Sequence, residues 1–191
     1  MMQFDNAPFN EDTHMEELFI SLRDKHNIMH VIETGTYHGK TTEWLCKNFP
    51  KVSTIEVNPT YFNVSGKRLY EYKNLKRYKG SSSEMLLEMI QKADRPLLIF
   101  LDAHWYENPV LKELDLIKMS RVKPVLVIHD FMNPHDKTMG YDVYPDQGIV
   151  YDWNWVADKI IDIYGEGGFN KRYNTEATGA RRGALIIEPR K

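Results

Sequence analysis

Glu33-Thr34-Gly35-Thr36-Tyr37-His38-Gly39-Lys40-Thr41-Thr42 follows directly on the apolar stretch Met29-His30-Val31-Ile32. The order reads as a strand, a glycine loop and then a helix. At such a junction the backbone N–H groups and the positive helix end point at a ligand, and glycine permits an approach that a Cβ would block. A nucleotide-like ligand is the first expectation. Spacing separates the folds that use this device. A Walker A loop has four residues between its first glycine and Gly-Lys-Ser/Thr, whereas Gly35 and Gly39-Lys40-Thr41 enclose only Thr36, Tyr37 and His38. The same three residues fill the interval in which a dinucleotide fingerprint G-x-G-x-x-G has its second glycine. What remains is acid-x-Gly-x-x-x-Gly, led by Glu33.

Outward from this loop, short apolar runs alternate with amphipathic segments. Residues 13–16 have a capping-box pattern, and Met15, Leu18, Phe19 and Leu22 repeat at helical spacing, which predicts a first helix from Thr13 to His26. Then come Val31-Ile32, a helix from Lys40, a strand over 52–57, a helix after Pro59, and a strand over 75–79. Ser82 reads as the cap of a further helix, followed by strand 97–101, a helix over 110–119 and strand 125–128. Repeated βα units predict a doubly wound, Rossmann-like α/β fold with a mostly parallel sheet. After Asp130 the alternation stops. Residues 131–152 are rich in Pro, Gly, Asp, His and Tyr without periodicity, which suggests a lid or substrate loop. A helix over 153–164 follows, and segments 172–177 and 184–187 flank a glycine-containing turn, which reads as a closing antiparallel hairpin.

A chain of 191 residues with 42% hydrophobic content suits one domain over 1–191, with 1–28 as an N-terminal helix segment. A net charge of −2 argues against nucleic acid as a partner, and the basic pairs Lys67-Arg68, Lys76-Arg77 and Arg181-Arg182 read as solvated faces. No apolar run is long enough to span a bilayer, and no membrane partner is expected. A soluble cytoplasmic protein is the expectation, with self-association into a homo-oligomer left open. The lone Cys46, among Trp44, Leu45 and Phe49, reads as a buried apolar residue.

The acid-x-Gly-x-x-x-Gly loop, the βα alternation and the terminal hairpin together resemble class I S-adenosylmethionine-dependent methyltransferases. In that family the loop passes under the methionine part of the cofactor, which places Gly35, Thr36 and Gly39 there and turns Glu33 toward the methionine amino group, directly or through the loop backbone. In a doubly wound sheet the ligand lies across the carboxyl ends of the strands. Glu56 ends the second strand about twenty residues beyond Gly35, where a carboxylate accepts hydrogen bonds from both ribose hydroxyls. After the third strand, Gly80-Ser81-Ser82-Ser83 offers small side chains for the edge of an adenine, with Ser81 and Ser82 as candidates. A plain helix cap is the competing reading.

Two further strand ends carry dense polar chemistry: Asp102-Ala103-His104-Trp105-Tyr106-Glu107 and His129-Asp130. Here the chain resembles a narrower group, the macrocin O-methyltransferase-like enzymes, which methylate hydroxyls on sugars of natural products, and the related cephalosporin hydroxylase-like proteins. The resemblance places Asp102 and Asp130 as magnesium ligands, with Asp102 also beside the cofactor. It makes His104 the general base and matches Tyr106-Glu107 to the group's Tyr-Glu. His129 and His104 replace carboxylates of the group. Imidazole favours a transition metal over magnesium, so the expected ion at Asp102, His129 and Asp130 is divalent but of open identity. The expected reaction is methyl transfer from S-adenosylmethionine to a hydroxyl of a small molecule or sugar. Tyr141, Tyr144, Tyr151, Trp153 and Trp155 are candidate walls for the acceptor, although Trp153 and Trp155 cannot share one helix face. The alternatives are a P-loop-like kinase or NTPase, a non-catalytic S-adenosylmethionine-binding module and, more distantly, a nicotinamide-dependent dehydrogenase.

Overall fold

The computed structural model describes residues 7–103 and 108–190. Its elements run in the order α1 (Thr13–His26), β1 (His30–Thr34), α2 (Lys40–Asn48), β2 (Lys51–Glu56), α3 (Pro59–Leu69), β3 (Leu75–Lys79), α4 (Ser82–Lys92), β4 (Leu97–Leu101), α5 (Val110–Ser120) and β5 (Val125–His129). A small hairpin of β6 (Val143–Tyr144) and β7 (Ile149–Val150) precedes α6 (Trp153–Tyr164), β8 (Phe169–Tyr173) and β9 (Ala184–Pro189). The main sheet has the order β3-β2-β1-β4-β5-β9-β8; β9 is antiparallel to β5, and β8 to β9. The parallel strands β1 and β4 are the point where strand order reverses, and in doubly wound sheets a crevice forms at the carboxyl ends of such a pair.

Alternation within each central strand divides the core in two. Leu97, Ile99 and Leu101 of β4, Leu126 and Ile128 of β5 and Leu185 and Ile187 of β9 face α4, α5 and α6. Leu98 and Phe100, Val125 and Val127, and Ala184 and Ile186 face the opposite way, onto Met15, Phe19 and Leu22 of α1 and Leu45 and Cys46 of α2. Strands buried on both faces must be apolar throughout, which is why they read as unbroken runs. Cys46 lies in this second layer, and burial, as the largest cause, pushes its thiol up to about 12.

Several boundaries differ from the sequence reading. The side chain of Asp12, not Thr13, caps α1, accepting from the amides of His14 and Met15 at 3.0 and 3.3 Å. Helix α4 begins at Ser82 with Ser81 at the cap position, and Ser81 makes no side-chain cap hydrogen bond. The penultimate strand starts at Phe169, earlier than the 172–177 expected. Among the described residues no helix is long and apolar enough to cross a membrane.

Candidate functional site

The loop after β1 packs against the loop after β4 at the crevice. Gly35 has φ +87° and its amide donates to the Ile55 carbonyl at 3.0 Å; a Cβ there would lie 2.6 Å from the Asp102 carbonyl oxygen. Only glycine fits that approach. Gly39, with φ +78°, occupies the cap position of α2 and supplies no side-chain cap, so the first-turn amides of the helix are left to other acceptors. Thr36 is buried and shares a hydrogen bond of 2.7 Å with the Thr54 hydroxyl, which fixes the loop to β2.

Two carboxylates, Glu33 and Glu56, hold this loop. Glu33 is 1% exposed, and its Oε2 accepts from the hydroxyls of Thr42 and Thr54 at 2.5 and 2.6 Å. Burial raises its pKa to about 8; the two hydroxyls oppose the rise, and the neighbouring Asp102 and Glu56 reinforce it. Glu33 is therefore neutral at pH 7 and braces the loop from beneath. Glu56, at the end of β2, accepts the Tyr37 amide on Oε2 and the Asn58 amide on Oε1, each at 2.8 Å. An ionised carboxylate has about four acceptor sites, so two amides leave capacity for hydroxyls of a ligand. Across the strand ends, the Gly80 amide donates to the Glu56 carbonyl at 3.0 Å, which brings Ser81 alongside Glu56; Ser82 is buried, while the Ser81 and Ser83 hydroxyls lie 2.8 Å apart.

The chemistry-bearing cluster sits at the ends of β4 and β5. His129 is 1% exposed, with Nδ1 2.9 Å from Asp102 Oδ1 and 3.4 Å from Asp130 Oδ2. Its Nε2 is buried without a hydrogen-bond partner among the described residues, so the ring directs its polarity at the two carboxylates. Burial opposes charge on this imidazole, but Asp130 and Asp102 outweigh it and hold the pKa well above 6.5. One donor atom from each of Asp102, His129 and Asp130 lies within 4.8 Å of the other two. An O, N, O set of that span fits a single divalent ion. His104, Trp105, Tyr106 and Glu107 lie outside the described residues.

Sequence reasoning missed Arg182. It was expected on a solvated face, but its side chain is only 26% exposed and its guanidinium forms ion pairs with both Asp130 and Asp142. The partners are far apart in sequence, so no local pattern marks the pairing. Of the expected acceptor walls, Tyr151 is fully buried with its hydroxyl 2.9 Å from Asn108 Oδ1, and Trp155 stacks on it at 4.6 Å; these two belong to the core. Trp153 faces elsewhere, under Lys171 at 3.7 Å. Tyr141 and Tyr144 are half-buried beside Asp142.

No protein-family model matches the chain, and no curated protein sequence does. Solved structures do. A Staphylococcus aureus protein assigned as a caffeoyl-CoA O-methyltransferase superposes with a TM-score of 0.67 at 17% identity, over 98% of this chain and 88% of the other. The O-methyltransferase TomG of Streptomyces achromogenes, solved with S-adenosylmethionine, gives 0.61 at 18%, over 93% and 80%. An O-methyltransferase of Bacillus cereus, solved with S-adenosylhomocysteine, gives 0.63 at 16%, over 97% and 85%. At these identities the likeness speaks for architecture, and with the strand order above it establishes that the chain has the class I methyltransferase fold.

Proposed function

We propose that this chain is an S-adenosylmethionine-dependent methyltransferase acting on a hydroxyl of a small molecule. One observation carries the reading. At the switch point of the sheet, the glycine loop after β1 packs on the Asp102 backbone, the Glu56 carboxylate of β2 holds the Tyr37 amide of that loop, and Asp102 joins His129 and Asp130 at the ends of β4 and β5. Similar structures that hold S-adenosylmethionine or S-adenosylhomocysteine support the choice of cofactor. In this reading Gly35, Thr36 and Gly39 lie under the methionine part, and Glu33 acts through the loop backbone it braces. Glu56 receives the ribose hydroxyls on its remaining acceptor sites, and Ser81 and Ser82 border the adenine edge. S-adenosylmethionine supplies an electrophilic sulfonium methyl.

The chain's own task is placement. Methyl transfer is accelerated mainly by holding the acceptor oxygen in line, roughly 3 Å from the methyl carbon. Tyr141 and Tyr144, on either side of Asp142 in the chain, are the proposed aromatic walls for a sugar or phenol. Asp102, His129 and Asp130 would hold a divalent ion, which would supply Lewis acidity toward the acceptor hydroxyl. His104, next to Asp102 in sequence but for one alanine, is the residue assigned to receive the hydroxyl proton.

The test is turnover of methyl-labelled cofactor with a panel of sugars, phenols and amines, alongside calorimetric titration of S-adenosylhomocysteine. Binding together with label in hydroxyl acceptors is the expected result. Label in amines alone would reassign the acceptor, and cofactor binding without turnover on any acceptor would support the module reading. No heat with either cofactor form, combined with tight ATP binding, would overturn the proposal in favour of a phosphate-binding loop.

A further inference from the structure

Arg182 reaches the cluster from the loop before β9, and its position is built rather than incidental. The Gly183 amide donates to the Gly140 carbonyl and the Gly140 amide to the Arg181 carbonyl, each at 2.9 Å, so the arginine-bearing strand entry is laced to the segment after β5. The Asn174 side chain donates to the Arg182 carbonyl at 3.1 Å. A Cβ on Gly140 would come within 2.7 Å of Arg182 Nη1, so glycine there leaves the space the guanidinium fills. From this seat Nε pairs with Asp130 Oδ1 and Nη2 with Asp142 Oδ1, while the other Asp130 oxygen faces His129.

Asp130 thus serves two claims. It belongs to the one His/carboxylate group among the described residues whose donor atoms span a single-ion site, and one of its oxygens is already neutralised by a guanidinium. A divalent ion and a guanidinium on the same half-buried carboxylate repel each other at a separation where screening is weak. We propose that Arg182 is the resident counter-cation of this cluster and sets its affinity for divalent metal: an ion that enters displaces the guanidinium from Asp130 onto Asp142. Arg182 is then a positioning residue, and the inference rests on the metal-site reading given above. The displacement also couples the cluster to the chain after β5, because Asp142 lies within that segment and its amide donates to the Asp130 carbonyl at 2.9 Å.

The experiment is titration of the full chain with Mn²⁺, counting free ion by electron paramagnetic resonance, for wild type, Arg182→Gln and Asp142→Asn. Arg182→Met, also without charge, replaces the glutamine variant if that one fails to fold by near-UV circular dichroism. Loss of the guanidinium charge should tighten Mn²⁺ binding about ten-fold or more. Asp142→Asn, which leaves the Arg182–Asp130 pair in place, should not tighten it. Wild-type binding with equal or weaker affinity in the Arg182 variant overturns the proposal and leaves the metal site standing. Equal tightening in Asp142→Asn also overturns it, since release of the segment would then be the cause. No binding in any variant removes the metal reading and the proposal together.

Discussion

Gly35 and Asp102 meet backbone to backbone at the point where strand order reverses: a Cβ on Gly35 would lie 2.6 Å from the Asp102 carbonyl oxygen. Neither partner can yield as a side chain would, and φ +87° is itself unfavourable for an L residue. Gly35→Ala should therefore cost about 2–4 kcal/mol in urea denaturation and weaken S-adenosylhomocysteine binding. Gly39→Ala is the comparison. Its contacts are longer and all with side-chain atoms, 3.0 Å to Leu69 Cδ1 and 3.1 Å to Ser65 Cβ, so about 1–2 kcal/mol is expected. Equal losses in the two variants would show that the Gly35–Asp102 contact has no special weight.

Glu56 does two jobs in the proposed reading, and two substitutions separate them. Both oxygens hold loop amides, from Tyr37 and Asn58. Glu56→Gln keeps one carbonyl acceptor but loses charge and half the acceptor capacity, whereas Glu56→Ala frees both amides. Calorimetry with S-adenosylhomocysteine should show more than ten-fold weaker binding for the alanine variant and a smaller loss for glutamine. Unaltered affinity in Glu56→Ala would refute the ribose assignment.

The fold was legible in the sequence because its central strands are covered on both faces. The run Leu97–Leu101 matches its strand end to end, and Val125–Ile128 falls one residue short of its own. Strand β8 was harder: Phe169–Tyr173 lies at the sheet edge with Lys171 and Arg172 exposed, so its register does not show as an apolar run. The α1 cap was misplaced by one residue because Asp12 and Thr13 are both capping types and only tertiary structure decides between them. Glu56, Asp102 and His129 stand at strand ends, which the apolar runs before them mark in the sequence. Arg182 is not so marked, since its meaning comes from Asp130 and Asp142, which the chain brings back only through the hairpin.

The buried Glu33 makes stability fall with rising pH. Its carboxyl goes from an ordinary value of 4.5 to about 8 in the fold, so the native state binds the extra proton. The contribution is complete below pH 4.5 and is lost progressively as pH rises through about 8. Glu33→Gln, neutral throughout, should remove a difference on the order of 2–4 kcal/mol between pH 5 and 9. A variant with the same pH slope as wild type in thermal melts would show that Glu33 ionises freely.

Glu188 has the opposite sign. Burial alone would raise its pKa, but His26 and Lys25 of α1, each at 2.6 Å, and Arg172 at 2.9 Å lower it to about 2. This stabilisation is present above pH 4.5 and is lost as pH falls toward 2. Glu188→Gln should lower stability by about 1–3 kcal/mol at pH 7, after allowance for solvent near Lys25 and Arg172. The difference should shrink in acid; an unchanged gap at pH 3 would mean that the loss reflects packing.

Residues 131–152, expected as a lid, divide into pinned ends and a free tip. The amides of Phe131, Met132, Asp142 and Tyr151 are bonded to Gly183, Tyr151, Asp130 and Asp142 at 2.7–3.1 Å, and Phe131, Asn133, Met139 and Tyr151 are buried. Between β6 and β7, residues 145–148 are exposed, and Val143 is 46% exposed. If the segment acts as a lid, this hairpin is the part expected to move. Hydrogen exchange should be fast at the exposed amides of Asp146 and Gln147 and slow at Phe131, Met132 and Tyr151, where opening would break buried contacts. Adding S-adenosylhomocysteine should slow exchange several-fold at the hairpin alone, as closure over a ligand requires. Slowing at Phe131 or Met132 would instead mean that the whole segment is loose before ligand arrives. A hairpin unaffected by the ligand would remove it from the acceptor site, leaving Tyr141 and the strand ends as the surface that meets the substrate.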